Sequence, residues 1–372
     1  MKEDKTTEAF FALVKAGLWE QDVQLAPFKG FDFNQVYRLA EEQAVFGLVA
    51  AGLEHVVDVK LPKEGVLQFV SQALQLEQQN QAMNAFIGKL VDKMRIAGIY
   101  TLLVKGQGVA QSYDRPLWRS CGDVDFFLSK NNYELAKVFL TPLAGSSKIE
   151  GKYKQEYSLV IDPWVVELHG NMRCGLSARM DRVIDEIQRD IFYGSNVRSW
   201  MNEKTQVFLP GINCDICFVF THFLKHFYCG GIGLRQICDW CRLLWTYRDS
   251  LNHELLESRI RKMGLMSEWK AFGAFAVKYL GMSKEAMPLY NYSAKWQRKA
   301  DRICKFVMEV GNFGHNRDNS YFEKYSYVIR KAVSLGRRCK DLARHARIFP
   351  LDSLRFFPSI MFNGLRSAAR GE

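Results

Sequence analysis

Two aspartates separated by one residue, Asp123 and Asp125, carry the clearest chemical signal in the chain. They lie in Asp123-Val124-Asp125-Phe126-Phe127-Leu128, whose apolar residues read as a buried strand. Residues two apart on a strand point to the same face, with Cα atoms roughly 6–7 Å apart. Two like charges at that distance repel by about 2–3 kcal/mol at an effective dielectric of about 20. A strand rarely carries that cost on a half-covered face unless a cation neutralises it. A hard oxygen-binding ion such as magnesium, with manganese as a substitute, is the natural candidate.

A third carboxylate comes from Trp164-Val165-Val166-Glu167-Leu168-His169, a second strand on which Val165, Glu167 and His169 share one face. Asp123, Asp125 and Glu167 converging on one or two magnesium ions would serve phosphoryl or nucleotidyl transfer. The metals would bridge phosphate oxygens, activate an attacking hydroxyl and neutralise the leaving pyrophosphate. Upstream, Lys105-Gly106 follows the apolar run from Ile99 to Val104. A glycine there lets backbone N–H groups approach a triphosphate, and a helix start behind it favours anions. Lys105 adds a point charge and Arg119 a bidentate fork. His169 faces the same side as Glu167, placed to orient substrate or phosphate.

The order Leu103-Val104-Lys105-Gly106, then Arg119-Ser120-Cys121-Gly122-Asp123-Val124-Asp125, then Val166-Glu167-Leu168-His169 resembles the uncharacterised bacterial nucleotidyltransferase family within the polymerase-β-like superfamily. Looser likenesses run from Leu39-Ala40 to Leu53, through His222, Lys225, His226, Arg235 and Asp239, and to Gly311-Asn312-Phe313-Gly314. The resemblance implies an α+β chain with a small mixed-sheet nucleotidyltransferase core. Asp123 and Asp125 would be metal ligands and Glu167 the third carboxylate. The enzyme would move a nucleoside monophosphate from a nucleoside triphosphate such as ATP to a hydroxyl or phosphate acceptor. The wider superfamily usually has Gly-Ser or Gly-Gly after the first strand. Lys105-Gly106 stands here, so the serine's usual phosphate contact is absent.

These residues need a scaffold. Apolar spacing of three and four predicts helices over 7–57, broken at Pro27 and Gly30, and a long helix over 63–97 ended by Gly98. A strand over 99–104, a short helix after Gly106, the strand from Asp123 and a helix ending near Pro142 follow. Two strands, 157–161 and 164–169, turn at Asp162-Pro163. Beyond about residue 177 the pattern is mostly helical, with one short strand near Val207-Phe208-Leu209. The organisation expected is an N-terminal helical region (1–79), the nucleotidyltransferase core (80–175) and a C-terminal helical region (176–372) with a basic end. With 48% hydrophobic and 24% charged residues, the composition is that of an ordinary globular chain. There is no apolar run long enough to span a bilayer and no signal-peptide pattern at the start. Nine cysteines without a disulfide spacing indicate a reducing compartment, hence a cytoplasmic protein.

Other constellations compete. Cys214-x-x-Cys217 and Cys238-x-x-Cys241 have nominal zinc spacing but sit in apolar helical stretches without knuckle turns, where such cysteines pack as small hydrophobes. His222 and His226, four apart on one helix, together with Lys225, Arg235 and Asp239 suggest a helix facing substrate. Net charge is +11, of which +8 lies from Lys324 onward, in a run through Arg337, Arg338, Lys340, Arg344 and Arg347 followed by Phe349, Phe356, Phe357 and Phe362. Residues 324–372 could therefore meet nucleic acid or an anionic membrane surface, or form a plain amphipathic helix on the core. The acceptor stays open among small molecule, sugar phosphate, tRNA and protein. A catalytically weak nucleotide-binding protein, or an RNA-interacting module, is the alternative to an enzyme.

Overall fold

Side chains alternate across a strand, and here that alternation divides core from site. On β2 (Asp123–Phe127), Val124 and Phe126 are buried on one face while Asp125 and Phe127 take the other. β2 pairs antiparallel with β1 (Leu102–Val104) and parallel with β5 (Trp164–His169). β5 then pairs antiparallel with β4 (Glu156–Ile161), and β4 with β3 (Ser146–Ile149). The result is a five-stranded mixed sheet of order β1-β2-β5-β4-β3 in a mostly helical chain. The computed structural model describes residues 4–149, 155–317 and 327–369.

One face of the sheet is entirely core. Leu103, Val124, Phe126, Leu159, Val166 and Leu168 pack under α4 (Lys63–Ile96) and α6 (Lys130–Leu140). The contacts on α4 are Met83, Ile87, Leu90, Val91 and Met94, the three- and four-spaced stripe of its second half. Each such side chain contributes about 1.5–3 kcal/mol on burial. The hairpin β6–β7 (Val197–Asn202, Thr205–Pro210) closes this layer with Val207 and Leu209. α4 ends as a Schellman motif. Gly98 takes φ +74°, its N–H donates to Arg95 O, and Ile99 N–H donates to Met94 O. Ile99 is thus committed to the helix cap, and β1 begins at Leu102 rather than at 99. β3 and β6 fall in stretches where the sequence predicts no strand, because their polar composition carries no clean alternation.

The second face is core at one end only. Leu102, Val104 and Phe127 join a large cluster built by the helices before and after the sheet. These are α1 (Lys5–Trp19), α2 (Phe33–Glu42) and α3 (Phe46–Glu54) on the N-terminal side. α7 (Ala178–Tyr193), α8 (Ile212–Cys229), α9 (Leu234–Thr246), α10 (His253–Met263), α11 (Met266–Leu280) and α12 (Ala294–Val310) follow the sheet. The ring of Phe127 lies 4.8 Å from Phe192 and 5.8 Å from Phe218. Arg242 on α9 donates to Leu18 O at the end of α1. N- and C-terminal helices therefore share one core, and the boundary drawn at 79/80 falls inside α4. Cys214, Cys217, Cys238 and Cys241 are buried packing residues of α8 and α9, and all nine cysteines are free. No described helix is long and apolar enough to cross a membrane.

The basic end forms α13 (Tyr327–Ala346) and α14 (Pro350–Ala369); residues 324–326 and 370–372 of that end lie outside the described residues. α14 docks through carboxyl groups. Glu268 of α11 is 0% exposed, accepts the Tyr228 hydroxyl at 3.0 Å and faces Asp352 in the first turn of α14. Burial and the Asp352 charge push the Glu268 carboxyl from 4.5 up to about 8. Lys299, Arg302 and Arg355 are the surrounding cations. Between the unfolded value and about 8 the folded chain holds the extra proton, so this pair's contribution is full at low pH and is lost as pH rises through about 8. Glu268→Gln keeps a donor toward Asp352 and an acceptor for Tyr228. Melting curves taken at pH about 5 and about 9 should show the wild-type loss of Tm shrinking by roughly 5 °C in the variant. Equal losses in both proteins would refute the raised Glu268 carboxyl.

Candidate active site

Lys105 and Gly106 leave β1 with φ of +56° and +36°. A side chain bearing a Cβ rarely accepts that conformation, which costs on the order of 1–3 kcal/mol. Gly106 also has little room, since an added Cβ would stand 3.2 Å from Cys121 Sγ and 3.4 Å from Asp123 O. The bend turns the Lys105 side chain back over the sheet, where Nζ donates to Asp125 Oδ1 at 2.7 Å. The helix behind the turn, α5 (Gly106–Ala110), has only five residues, too few to add a dipole of any size.

Register brings the acids together. β2 and β5 are parallel with Asp125 opposite Glu167 and Phe127 opposite His169, so Asp125, Glu167 and His169 share the half-open face. Asp125 is 2% exposed. The same oxygen that accepts from Lys105 lies 2.7 Å from His169 Nε2, and that nitrogen is 3.5 Å from Glu167 Oε2. Ligand atoms of Asp125, Glu167 and His169 all fall within 4.8 Å of one another, the one such cluster among the described residues. Sequence spacing groups Asp123 with Asp125 and Glu167. In the structure Asp123 starts the same strand face at its solvent edge, and His169 completes the tight cluster.

Charge is unevenly shared. Burial works to raise the Asp125 carboxyl, but Lys105 and His169 outweigh it and hold the group well below the ordinary carboxylate range. Burial likewise works against the charged forms of Lys105 and His169, yet the acids keep both above their usual values. Asp123 has no partner of this kind. The neighbouring Asp125 charge, then burial, pushes its carboxyl from 3.8 up to about 6. Lys105 and Arg235 offset part of that rise.

α8 and α9 roof the open half. His222 and His226, half-buried, meet Nε2 to Nε2 at 3.1 Å. Burial and then the charge of Lys105 drive His222 well below 6.5, and burial and Lys225 take His226 to about 3. Both imidazoles are neutral, and their charge environment includes Lys105, His169 and Asp125. The Lys225 side chain, half-buried on α8, is among the charges acting on both imidazoles. Arg235, second residue of α9, donates to Ser120 O at 2.8 Å, and Asp123 is among the charges acting on it. Its buried Nε has no hydrogen-bond partner among the described residues.

Arg119 and Asp239 meet each other rather than the open face. Arg119 Nε and Nη2 donate to the two Asp239 oxygens at 2.7 Å each, and Tyr113 OH donates to Asp239 at 2.8 Å. The segment carrying Arg119 is held from below by Asn80 of α4. Its amide donates to Leu117 O and Arg119 O and accepts from Gln107. Tyr113, Asn80 and Gln107 carry no motif that sequence reasoning could pick out. Asn80 reads as one more polar residue in the middle of α4, and only its burial marks it.

The model of a family described as uncharacterised nucleotidyltransferase matches residues 29–281, more than half of the chain, from α2 through the sheet and its roof to the end of α11. No curated protein and no solved structure matches.

Proposed function

Because the chain belongs to the uncharacterised nucleotidyltransferase family, we propose that it transfers a nucleoside monophosphate from a nucleoside triphosphate such as ATP to a hydroxyl or phosphate acceptor, with a divalent ion. The observation that carries this reading is the convergence of Asp125, Glu167 and His169 within 4.8 Å. The donor set suits such an ion. Asp123, Asp125 and Glu167 offer the oxygens magnesium prefers, while the His169 imidazole also suits manganese. The raised Asp123 carboxyl is the mark of a like-charged pair that a cation would relieve. A bound ion would polarise the phosphate oxygens and neutralise the leaving pyrophosphate.

The remaining work falls to the chain itself. Lys105 and Arg235 supply positive charge toward the phosphates from the β1 turn and from α9. An acceptor oxygen attacks the α-phosphorus as the bond to the β-phosphate oxygen breaks, and pyrophosphate carries away the electron pair. Glu167, half-buried on the open side, is the carboxylate best placed to take an acceptor hydroxyl's proton. The neutral His222 and His226 line the roof where hydrogen bonding to an acceptor is feasible without adding charge. Free cysteines throughout fit a reducing, cytoplasmic setting.

The test is incubation with each α-labelled nucleoside triphosphate, magnesium and panels of sugar phosphate, small-molecule, tRNA and protein acceptors. Label should pass to one class, and chelation of the metal should stop it. A protein that neither binds a triphosphate in magnesium nor transfers label to any panel refutes the reading.

A further inference from the structure

The turn Gly311-Asn312-Phe313-Gly314 follows α12 and is conformationally costly. Gly311, Phe313 and Gly314 have φ of +72°, +51° and +80°. A phenylalanine in that region is strained, and strain of this kind collects where a side chain must be presented to something. The strain does not serve packing here, since Phe313 is 50% exposed.

The turn is nevertheless pinned. Gln236 Nε2 donates to Asn312 Oδ1 at 2.8 Å, and Asn316 Nδ2 donates to Glu42 Oε2 at 2.9 Å. Gly231 lies so close beneath that a Cβ there would stand 3.0 Å from Gly314 N. The ring is held from the site side. The His226 imidazole lies 4.7 Å away at 72°, and the Arg235 guanidinium carbon lies over it at 5.9 Å from the centroid. These are the residues that link the ring to the catalytic face. His226 meets His222 and feels the charges of Lys105 and Asp125, and Arg235 acts on Asp123. Arg235 thus neighbours the exposed aromatic ring and acts on the carboxylate of Asp123.

A magnesium-bound nucleoside triphosphate presents the complementary series of base, phosphates and metal. Resting on the nucleotidyl-transfer reading above, we propose that Phe313 is the stacking platform for the nucleobase, with the Arg235 guanidinium between it and the phosphates. A flat ring accepts any base face, so the platform supplies affinity more than base selection.

Two probes separate this inference from the reading it rests on, ATP and inorganic tripolyphosphate, each titrated in magnesium into the full-length chain. Phe313→Ala should weaken ATP roughly tenfold, the loss expected for one base stack, and leave tripolyphosphate unchanged. Phe313→Trp should retain ATP, whereas Phe313→Leu, similar in bulk but without a π face, should resemble the alanine variant. Equal ATP binding by Phe313→Ala and wild type, or equal losses of both probes, overturns the platform while leaving nucleotidyl transfer standing. A wild-type chain that binds neither probe overturns both.

Discussion

Asparagine at position 125 should lower nucleotidyl transfer by roughly a thousandfold, the scale of losing several kcal/mol of charge stabilisation at the reacting phosphate. Asp125 is the carboxylate on which the other groups converge, meeting Lys105 and His169 through one oxygen and standing opposite Glu167 in the sheet. Asparagine keeps the shape and removes the charge. It leaves the half-buried Lys105 ammonium without its main counter-charge, so the fold loses stability along with the proposed metal site. Two measurements separate those losses. The double variant Lys105→Met with Asp125→Asn should regain much of the lost Tm while transfer stays absent. The rise in Tm that wild type shows on adding magnesium or manganese should vanish in both variants. Asp123→Asn should behave differently, because it relieves repulsion at a solvent-accessible position and leaves Lys105 and His169 paired. Its fold should hold, with a partial loss of activity. Transfer within tenfold of wild type in Asp125→Asn, together with an unchanged metal-induced shift, would remove Asp125 from the site.

How much of this site is legible in the amino-acid sequence depends on the range of the interaction. Period-two spacing puts Asp123 with Asp125 and Glu167 with His169, and in each case the strand face is the one that spacing predicts. Which strand lies beside which, and in what register, is not a local property. The match of Asp125 to Glu167 comes from a parallel pairing across the α6–β3–β4 excursion. That pairing is why His169, two residues on, enters the cluster more closely than Asp123. The α8 and α9 residues are legible as a group because His222, His226 and Arg235 share a helix–turn–helix span. Their division into open-face and buried members is not legible, since Asp239 is claimed by Arg119 from 120 positions away. The polar strands β3 and β6 are invisible for a related reason. Half-exposed strands owe their place to a partner, and short polar stretches announce no partner. Phe313 stands out in sequence only as part of a looser likeness, because neither its strain nor its exposure is written in the residue type.

The Arg119–Asp239 pair carries the largest expected effect on stability. Both residues are buried, at 7% and 5% exposure, and the contact is bidentate. Removing one member of such a pair leaves an uncompensated charge in the interior and costs about 3–5 kcal/mol. Arg119→Ala should accordingly lower Tm by roughly 5 °C. The damage should spread to β2, because Arg119 sits four residues before Asp123 on the segment that Asn80 holds. Loss of activity in that variant therefore says nothing about whether Arg119 touches a phosphate. A compensated variant does. Replacing Arg119 by methionine, Asp239 by leucine and Tyr113 by phenylalanine exchanges the whole polar group for apolar side chains of similar volume, a change often neutral or stabilising in other interiors. If Arg119 only braces the loop, this triple variant recovers both Tm and triphosphate affinity. If its guanidinium leaves Asp239 to hold phosphate when substrate arrives, Tm recovers but triphosphate binding stays roughly tenfold weak, the worth of one charge-assisted hydrogen bond. The geometry favours the first outcome. Asp239 already satisfies both donors of the fork, whereas Arg235, beside Asp123 with a buried Nε unmatched, is the arginine left to meet an incoming anion.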